Sequence, residues 1–233
     1  MKNNKIIGGL LIAGAIAVLI PYTFLTSIFE YPAILRQETA VILTKFHEGG
    51  SKLIWTWFAF AIAGTPLLPA YIMIGQKFET KTSLVRVATI IGVIGLVVQM
   101  VGLLRWTFVV PVLANTFISA TDEATKAAAI VSFKTIHQFG GVIFGESLGQ
   151  LFTIAYTVMI SVSFGKLNLF PKWVNWLGFI SSGIYLMAQA ELFATVIPDF
   201  PVWNMAGFIG STLWLVWLII VGVMFIKKRN QNL

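Results

Sequence analysis

Glu146 and Gln150 stand inside an apolar run, in the stretch GVIFGESLGQ that spans 141–150. A carboxylate and an amide one helical turn apart could hold a cation, a proton or a polar ligand. Ionisable residues inside a membrane usually line a water-filled cavity or pair with one another. Gln189 and Glu191 form a second such pair of types, Arg105 ends another apolar run, and His47, Glu48 and His137 flank apolar runs. Three chemistries are open to these residues. Glu146 or Glu191 could bind a ligand or ion. Carboxylates with His47 could do acid–base or metal-assisted work. His47 and His137 could ligate a b-type haem from two sides. Against all three stands a structural reading, in which Arg105 and Glu146 form an ion pair that fixes two helices in register.

Composition narrows the field. The chain has 233 residues and no cysteine, so thiolate chemistry, disulfides and Fe–S clusters are excluded. Its two histidines rule out any metal centre built on three imidazoles. No metal ligand is assigned, and the cofactor is left undetermined. No phosphate-binding loop, GxSxG, HExxH or dinucleotide fingerprint occurs. With 58% hydrophobic and 11% charged residues the sequence is far from an ordinary soluble domain, which is about 25% charged. The net charge of +7 is explained by basic residues beside apolar spans, and no nucleic-acid partner is expected.

These side chains need elements to hold them. A membrane-crossing helix takes about 20 mostly apolar residues. Six segments meet that requirement: 6–29, 53–74, 84–106, 142–164, 174–193 and 205–226. The first is expected to be a retained helix and not a cleaved signal, because its apolar run exceeds a signal core of about 7–15 residues. The sequence thus predicts an all-α integral membrane protein, one transmembrane domain over 1–233, built as a six-transmembrane-helix bundle. Ten Lys and Arg residues, from Lys2 to Arg229, fall on the side of the N-terminus; five, from Arg36 to Lys134, fall opposite. That bias places both termini in the cytoplasm. The connections 30–52 and 107–141 are then external. The first reads as a short interfacial helix on the outer leaflet, entered at Pro32 and stopped at Gly49-Gly50. The second reads as a helix capped by Thr121 that continues into the fourth span. Trp55, Trp57, Trp106 and Trp203 mark the outer border, and Trp173 and Trp176 the inner one, as an aromatic belt.

Angle and depth then sort the polar groups. At roughly 100° per residue, Glu146, Gln150, Thr153 and Thr157 share one helix face. Gly141, Gly145 and Gly149 form a neighbouring small-residue edge suited to close packing. His137 precedes Glu146 by nine residues, about half a turn away on a straight α-helix, so the two should not share one small site. For Gln189 an interhelical hydrogen bond is the simpler reading. Arg105, Glu146, Gln150, Gln189, Glu191, His47, Glu48, His137 and Gln138 all map to the outer half of the bundle.

Two stretches carry a resemblance. FEYPAILRQETAVILTKFHEGGSKLIWTWFAFAIAGTPLLP, with its aromatic-Pro-x-Ile-Leu-Arg entry, and HQFGGVIFGESLGQLFTIAYTVMIS, with its Gly-Glu-x-Leu-Gly centre, resemble bacterial membrane proteins grouped as a domain of unknown function (DUF4386-like). The resemblance implies six helices and a bacterial inner membrane, and it carries no reaction or substrate. The leading expectation is a sensor or transport component with an outer polar pocket formed by Arg105, Glu146, Gln150, Gln189 and Glu191. His47, Glu48 and His137 would stand at its rim. An intramembrane enzyme, a haem protein and a structural subunit without a pocket are the alternatives. The bilayer is the one sure partner, and a homo-oligomer is compatible with every feature.

Overall fold

The computed structural model describes residues 2–228, so Arg229 of the charge count lies outside the described residues. With no water to satisfy backbone N–H and C=O groups, an apolar chain of this kind must close its hydrogen bonds within helices. The helices are α1 (Lys2–Phe29), α2 (Thr39–Ile62), α3 (Leu67–Phe78), α4 (Ser83–Phe108), α5 (Val110–Ser119), α6 (Glu123–Ile136), α7 (Gly149–Lys166), α8 (Lys172–Met187), α9 (Gln189–Phe193) and α10 (Ala206–Lys227). A 3-10 turn, Ala33–Arg36, follows α1, and a π-helical segment, His137–Leu148, joins α6 to α7. No strand occurs among the described residues.

Five helical stretches are long and apolar enough to cross a membrane: Asn3–Phe29, Thr39–Phe78, Ser83–Ser119, Glu123–Lys166 and Ala206–Lys227. The structure therefore differs from six separate spans. α8 has 16 residues, short for a crossing, and it packs between α7 and α10. The helix expected to run to Phe193 breaks at Ala188, where α9 begins. The span expected over 53–74 is divided at Ala63–Pro66, while α1 continues through Pro21. Outward faces carry large apolar side chains such as Ile20, Phe24, Ile90, Val101, Ile180 and Phe208, each more than half exposed. Such a girdle on a chain of several apolar helices belongs against lipid, and the protein is a multi-pass membrane protein.

The connection 107–141 is no loop. α5 extends α4, α6 leads through the π segment into α7, and the two extensions pack as an antiparallel pair. Glu123–Lys166 spans 44 residues, or roughly 65 Å, about twice the hydrocarbon thickness. The cap of α6 is Asp122 and not Thr121: its carboxylate accepts from the Thr125 backbone N–H and from the Thr125 hydroxyl, both at 2.8 Å.

Two apolar cores are stacked along the bundle. One, at the end that holds the N-terminus of α1 and the C-terminus of α10, is built around Ile7, Tyr71, Phe78, Tyr156, Phe164 and Phe225. The other lies at the opposite, cap end. There Trp57 and Trp106 stack at 4.7 Å, Phe46 stacks on Trp106 at 5.7 Å, and Phe29 presents its edge to all three. This corrects two expectations. Trp57 and Trp106 are fully buried core residues, whereas Trp55, Trp173, Trp176 and Trp203 are the exposed, belt-like ones. The helix beginning at Thr39 does not lie flat on lipid, because Ile42, Leu43 and Phe46 turn its apolar face onto the aromatic cluster.

That docking requires a sharp bend within α2. Gly50 supplies it with φ 53° and ψ −149°, a conformation open essentially to glycine alone. A Cβ at Gly50 would meet nothing within 4 Å, so the cost of Gly50→Ala is purely backbone strain, about 1–3 kcal/mol. Thermal unfolding should show that loss for Gly50→Ala and not for Gly9→Ala, whose Cβ also meets open space but in a helical conformation.

Candidate functional site

The π segment brings the cap-half polar groups together. Its sequence, HQFGGVIFGESL, has glycines at 140, 141 and 145. On the facing α4, a Cβ at Gly102 would lie 2.7 Å from the Gly140 carbonyl and 2.7 Å from Gly145 Cα. The two backbones are thus in direct contact. Arg105, one turn further on α4, lays its side chain across Gly140 and Gly141, where a Cβ at Gly141 would sit 2.5 Å from Nη2. The expected glycine edge is present, with Gly149 packed on Gln99 of α4, and much of the space it leaves is filled by an arginine.

Arg105 is 7% exposed. Its Nη1 donates to the Gly102 carbonyl at 2.6 Å, its guanidinium lies 5.3 Å from the Trp106 ring, and its Nε has no partner. It forms no ion pair with Glu146. The ion pairs among the described residues are Arg36–Glu191 at 2.6 Å, Lys45–Glu30 at 2.5 Å, Arg86–Glu79 at 3.3 Å and Lys126–Glu123 at 3.1 Å. Glu146 is half-buried and stands in the field of Arg105, Glu191 and Arg36. Among the described residues its carboxylate accepts no hydrogen bond, although its backbone carbonyl accepts one from Gln189 at 3.3 Å.

The amides behave differently. Gln189 Nε2 donates to Gln150 Oε1, Gln150 Nε2 to the Tyr185 carbonyl at 3.1 Å, and Ser147 Oγ to Gln189 Oε1 at 3.2 Å. Deeper on the same face, Gln99 Nε2 donates to Thr153 Oγ1 at 2.7 Å and to the Gly149 carbonyl at 2.8 Å. The polar stripe of α7 is thereby joined to α4, α8 and α9. Gln150 and Gln189 have their polar atoms committed to these contacts.

The histidines are held apart from one another's partners. His47 is exposed and pairs through Nδ1 with Asn115 Oδ1 at 2.9 Å; Glu48 beside it is also exposed. The structure does not bring these two to the Glu146 cluster. His137 stacks on Phe133 at 5.4 Å and meets the edge of Trp106, and its Nδ1 has no partner. His137 and Glu146 both lie in the π segment, where hydrogen bonds run i to i+5 and the 100° per residue of a straight α-helix does not apply. Both residues have Arg105 as a charged neighbour.

Four members of the cluster were not among the sequence candidates. Tyr31 and Tyr185 lie within electrostatic reach of Glu146, and Tyr22 packs on Tyr31 at 5.7 Å. None of these three hydroxyls forms a hydrogen bond among the described residues. Arg36 links the 3-10 turn to α9 through Glu191. The available signal was a tyrosine in or just beyond an apolar run, an amphipathic side chain whose hydroxyl seeks a polar partner.

A family described as "Domain of unknown function (DUF4386)" matches residues 6–222, and the chain belongs to it, in agreement with the resemblance in the two stretches quoted above. Neither the curated proteins nor the solved structures contain a match.

The contact at Gly102 should be unforgiving. The atoms a new methyl would strike belong to backbone, which cannot swing aside, so Gly102→Ala is expected to destabilise by about 1–3 kcal/mol. Gly183→Ala, with nothing within 4 Å, should be close to neutral in the same thermal melt.

Proposed function

We propose that this DUF4386 protein is a six-pass sensor or transport component of a bacterial cytoplasmic membrane, with both termini inside and a small-cation or proton site at Glu146 in the outer half. α8 is the fifth pass on this reading. Its support is its packing between α7 and α10 and the location of Lys166 and Lys172 at the same end of the bundle as Lys5, Lys77 and Lys228. A 16-residue helix reaches about 24 Å, and α9 beyond Ala188 adds length where the bilayer is not fully crossed.

The observation that carries the ligand reading is the unengaged Glu146 carboxylate. A carboxylate at the centre of a membrane helix costs roughly 2.5–3.5 kcal/mol, less towards an interface, and is ordinarily offset by pairing. Among the described residues no ion pair or hydrogen bond offsets it, while Tyr31 and Tyr185 lie within its electrostatic reach with hydroxyls that form no hydrogen bond. Carboxylate and phenol oxygens suit a small cation or amine, with aromatic faces adding cation–π attraction. Arg105 and the Arg36–Glu191 bridge limit the net charge of the surroundings. π-helical turns often occur at functional sites, and Glu146 lies within one.

Two measurements test this reading. For the site, the purified protein is titrated with alkali, alkaline-earth and alkylammonium cations and with acid, following thermal unfolding and the infrared carboxyl band. A saturable stabilisation by one cation, or a titrating carboxyl band, should appear in the wild type and vanish in Glu146→Gln. Identical responses of both proteins to every cation and to pH would refute it. For topology, the absence of native cysteine allows single-cysteine probes. Lys77→Cys reports on the end that holds both termini, and Lys45→Cys on the cap end. A membrane-impermeant maleimide added to intact cells should label only the second.

A further inference from the structure

None of the residues 190–205, which lead from α9 to the start of α10, is buried. The backbone bonds of this segment are local, as from the Ala194 N–H to the Ala190 carbonyl and from the Ala206 N–H to the Trp203 carbonyl. Side-chain bonds fasten it to the other described residues. Gln189, at its root, donates to the Glu146 carbonyl at 3.3 Å and accepts from the Ser147 hydroxyl at 3.2 Å. Further along, Arg36 donates to Glu191 at 2.6 Å and Gln138 to the Thr195 hydroxyl at 2.9 Å. These contacts lay 189–195 along the π segment, with Gln189 at Glu146 and Thr195 at Gln138. A stretch with no buried residue and exposed bonds belongs to the low-stability end of a fold, where local opening is easy. Arg36–Glu191 is its charged fastening, with side chains 53% and 26% exposed, and both members stand within electrostatic reach of Glu146.

We propose that 189–205 is a lid of the Glu146 site, latched by the Arg36–Glu191 ion pair, and that a small cation or proton reaches Glu146 when the latch opens. This rests on the reading of Glu146 as the ligand carboxylate. The latch suits such a ligand. An arriving cation is drawn to Glu191 and competes with the Arg36 guanidinium for the same carboxylate. Once Arg36 is released, the neutral Gln138–Thr195 bond alone holds the outer part of the lid, and the break at Ala188 serves as the hinge. Opening uncovers no core, because Phe193, Val196, Ile197 and Trp203 on the lid are already exposed. Those side chains keep the lid in the membrane interface as it swings. An exposed ion pair contributes little to stability, which is what a latch that opens repeatedly requires.

The chain has no native cysteine, so Glu146→Cys in the full chain reports access to the site. Its rate of modification by a neutral, water-soluble maleimide is measured in detergent, with the latch intact and with Arg36→Gln or Glu191→Gln added. A neutral reagent is not steered by the lost charge. Each latch variant should raise the rate roughly two- to fivefold, the factor an exposed ion pair supplies. The two together should raise it no further than either alone, since both remove the same interaction. Hydrogen exchange gives a second reading with Glu146 in place, and it decides alone if Glu146→Cys does not fold. Amides of 190–196 should exchange faster than those of α7, and faster still in Arg36→Gln, while α7 stays unchanged. Exchange over 190–196 that is the same with and without Arg36 overturns the proposal. So does a labelling rate that ignores the latch, or latch variants whose effects multiply. Neither readout needs a bound cation, so the lid stands or falls by itself; a cation response indifferent to Glu146 counts against the site and not against the lid.

Discussion

Backbone contact between α4 and the π segment is the constraint from which the cap half follows. Gly102 against Gly140 and Gly145 removes the usual gap between helices, and lipid-embedded helices gain most of their association from such close packing. With the backbones touching, Arg105 cannot project into a groove between them and must lie flat over Gly140 and Gly141. Its desolvation is met by the Gly102 carbonyl and the Trp106 face. A hydrogen bond from a charged donor contributes about 1.5–3 kcal/mol and a desolvated cation–π contact about 2 kcal/mol. Together these approach the several kcal/mol that burying one ion costs. Arg105 is therefore largely accommodated without a carboxylate partner, and Glu146 is left without one.

The same contact divides the polar residues into two groups with different duties. Gln99, Gln150, Gln189, Ser147 and Thr153 are neutral, and each makes hydrogen bonds that cross from one helix to another or back along α7. Interhelical bonds of this type contribute roughly 0.6–2 kcal/mol each in a membrane, enough in sum to fix register. Above them stand the ionisable groups. Arg36–Glu191 ties the turn after α1 to α9 and is partly exposed, so its contribution to stability is small, about 0–1 kcal/mol. Its greater effect is on position, because it ties the segment that carries Tyr31 to α9, whose Gln189 bonds the Glu146 carbonyl.

Helix formation was legible in the sequence because apolar length alone demands it, and the gathering of Arg105, Glu146, Gln150, Gln189 and Glu191 at one end of the bundle followed from their depth in the apolar runs. The glycine edge was legible too, since i, i+4, i+8 spacing survives moderate changes of pitch. What the sequence did not carry was the pitch itself. A π segment of 12 residues, His137–Leu148, alters the angles derived from 100° per residue within it. Trp57 and Trp106 have belt-like sequence positions, and only the folding of 39–49 back onto them makes them core. His47 reads like His137 in sequence, yet Asn115 of the α5 hairpin engages it, a pairing set by tertiary structure across 68 positions.

The remaining question is what a carboxylate does at position 146 that an amide would not. Packing does not require it: Gln189 bonds to the backbone carbonyl of Glu146, which any residue would present. Register does not require it, because Gln150 and Gln189 already join α7 to α8 and α9. The Gly102 carbonyl bonds Arg105 but brings no counter-charge, which Glu146 supplies through space without contact. A side chain whose burial is costly and which forms no bond among the described residues is best understood through its charge or its proton. That reasoning, more than the presence of an acid in an apolar run, is what centres the proposed site on Glu146 and extends it to the tyrosines beside it.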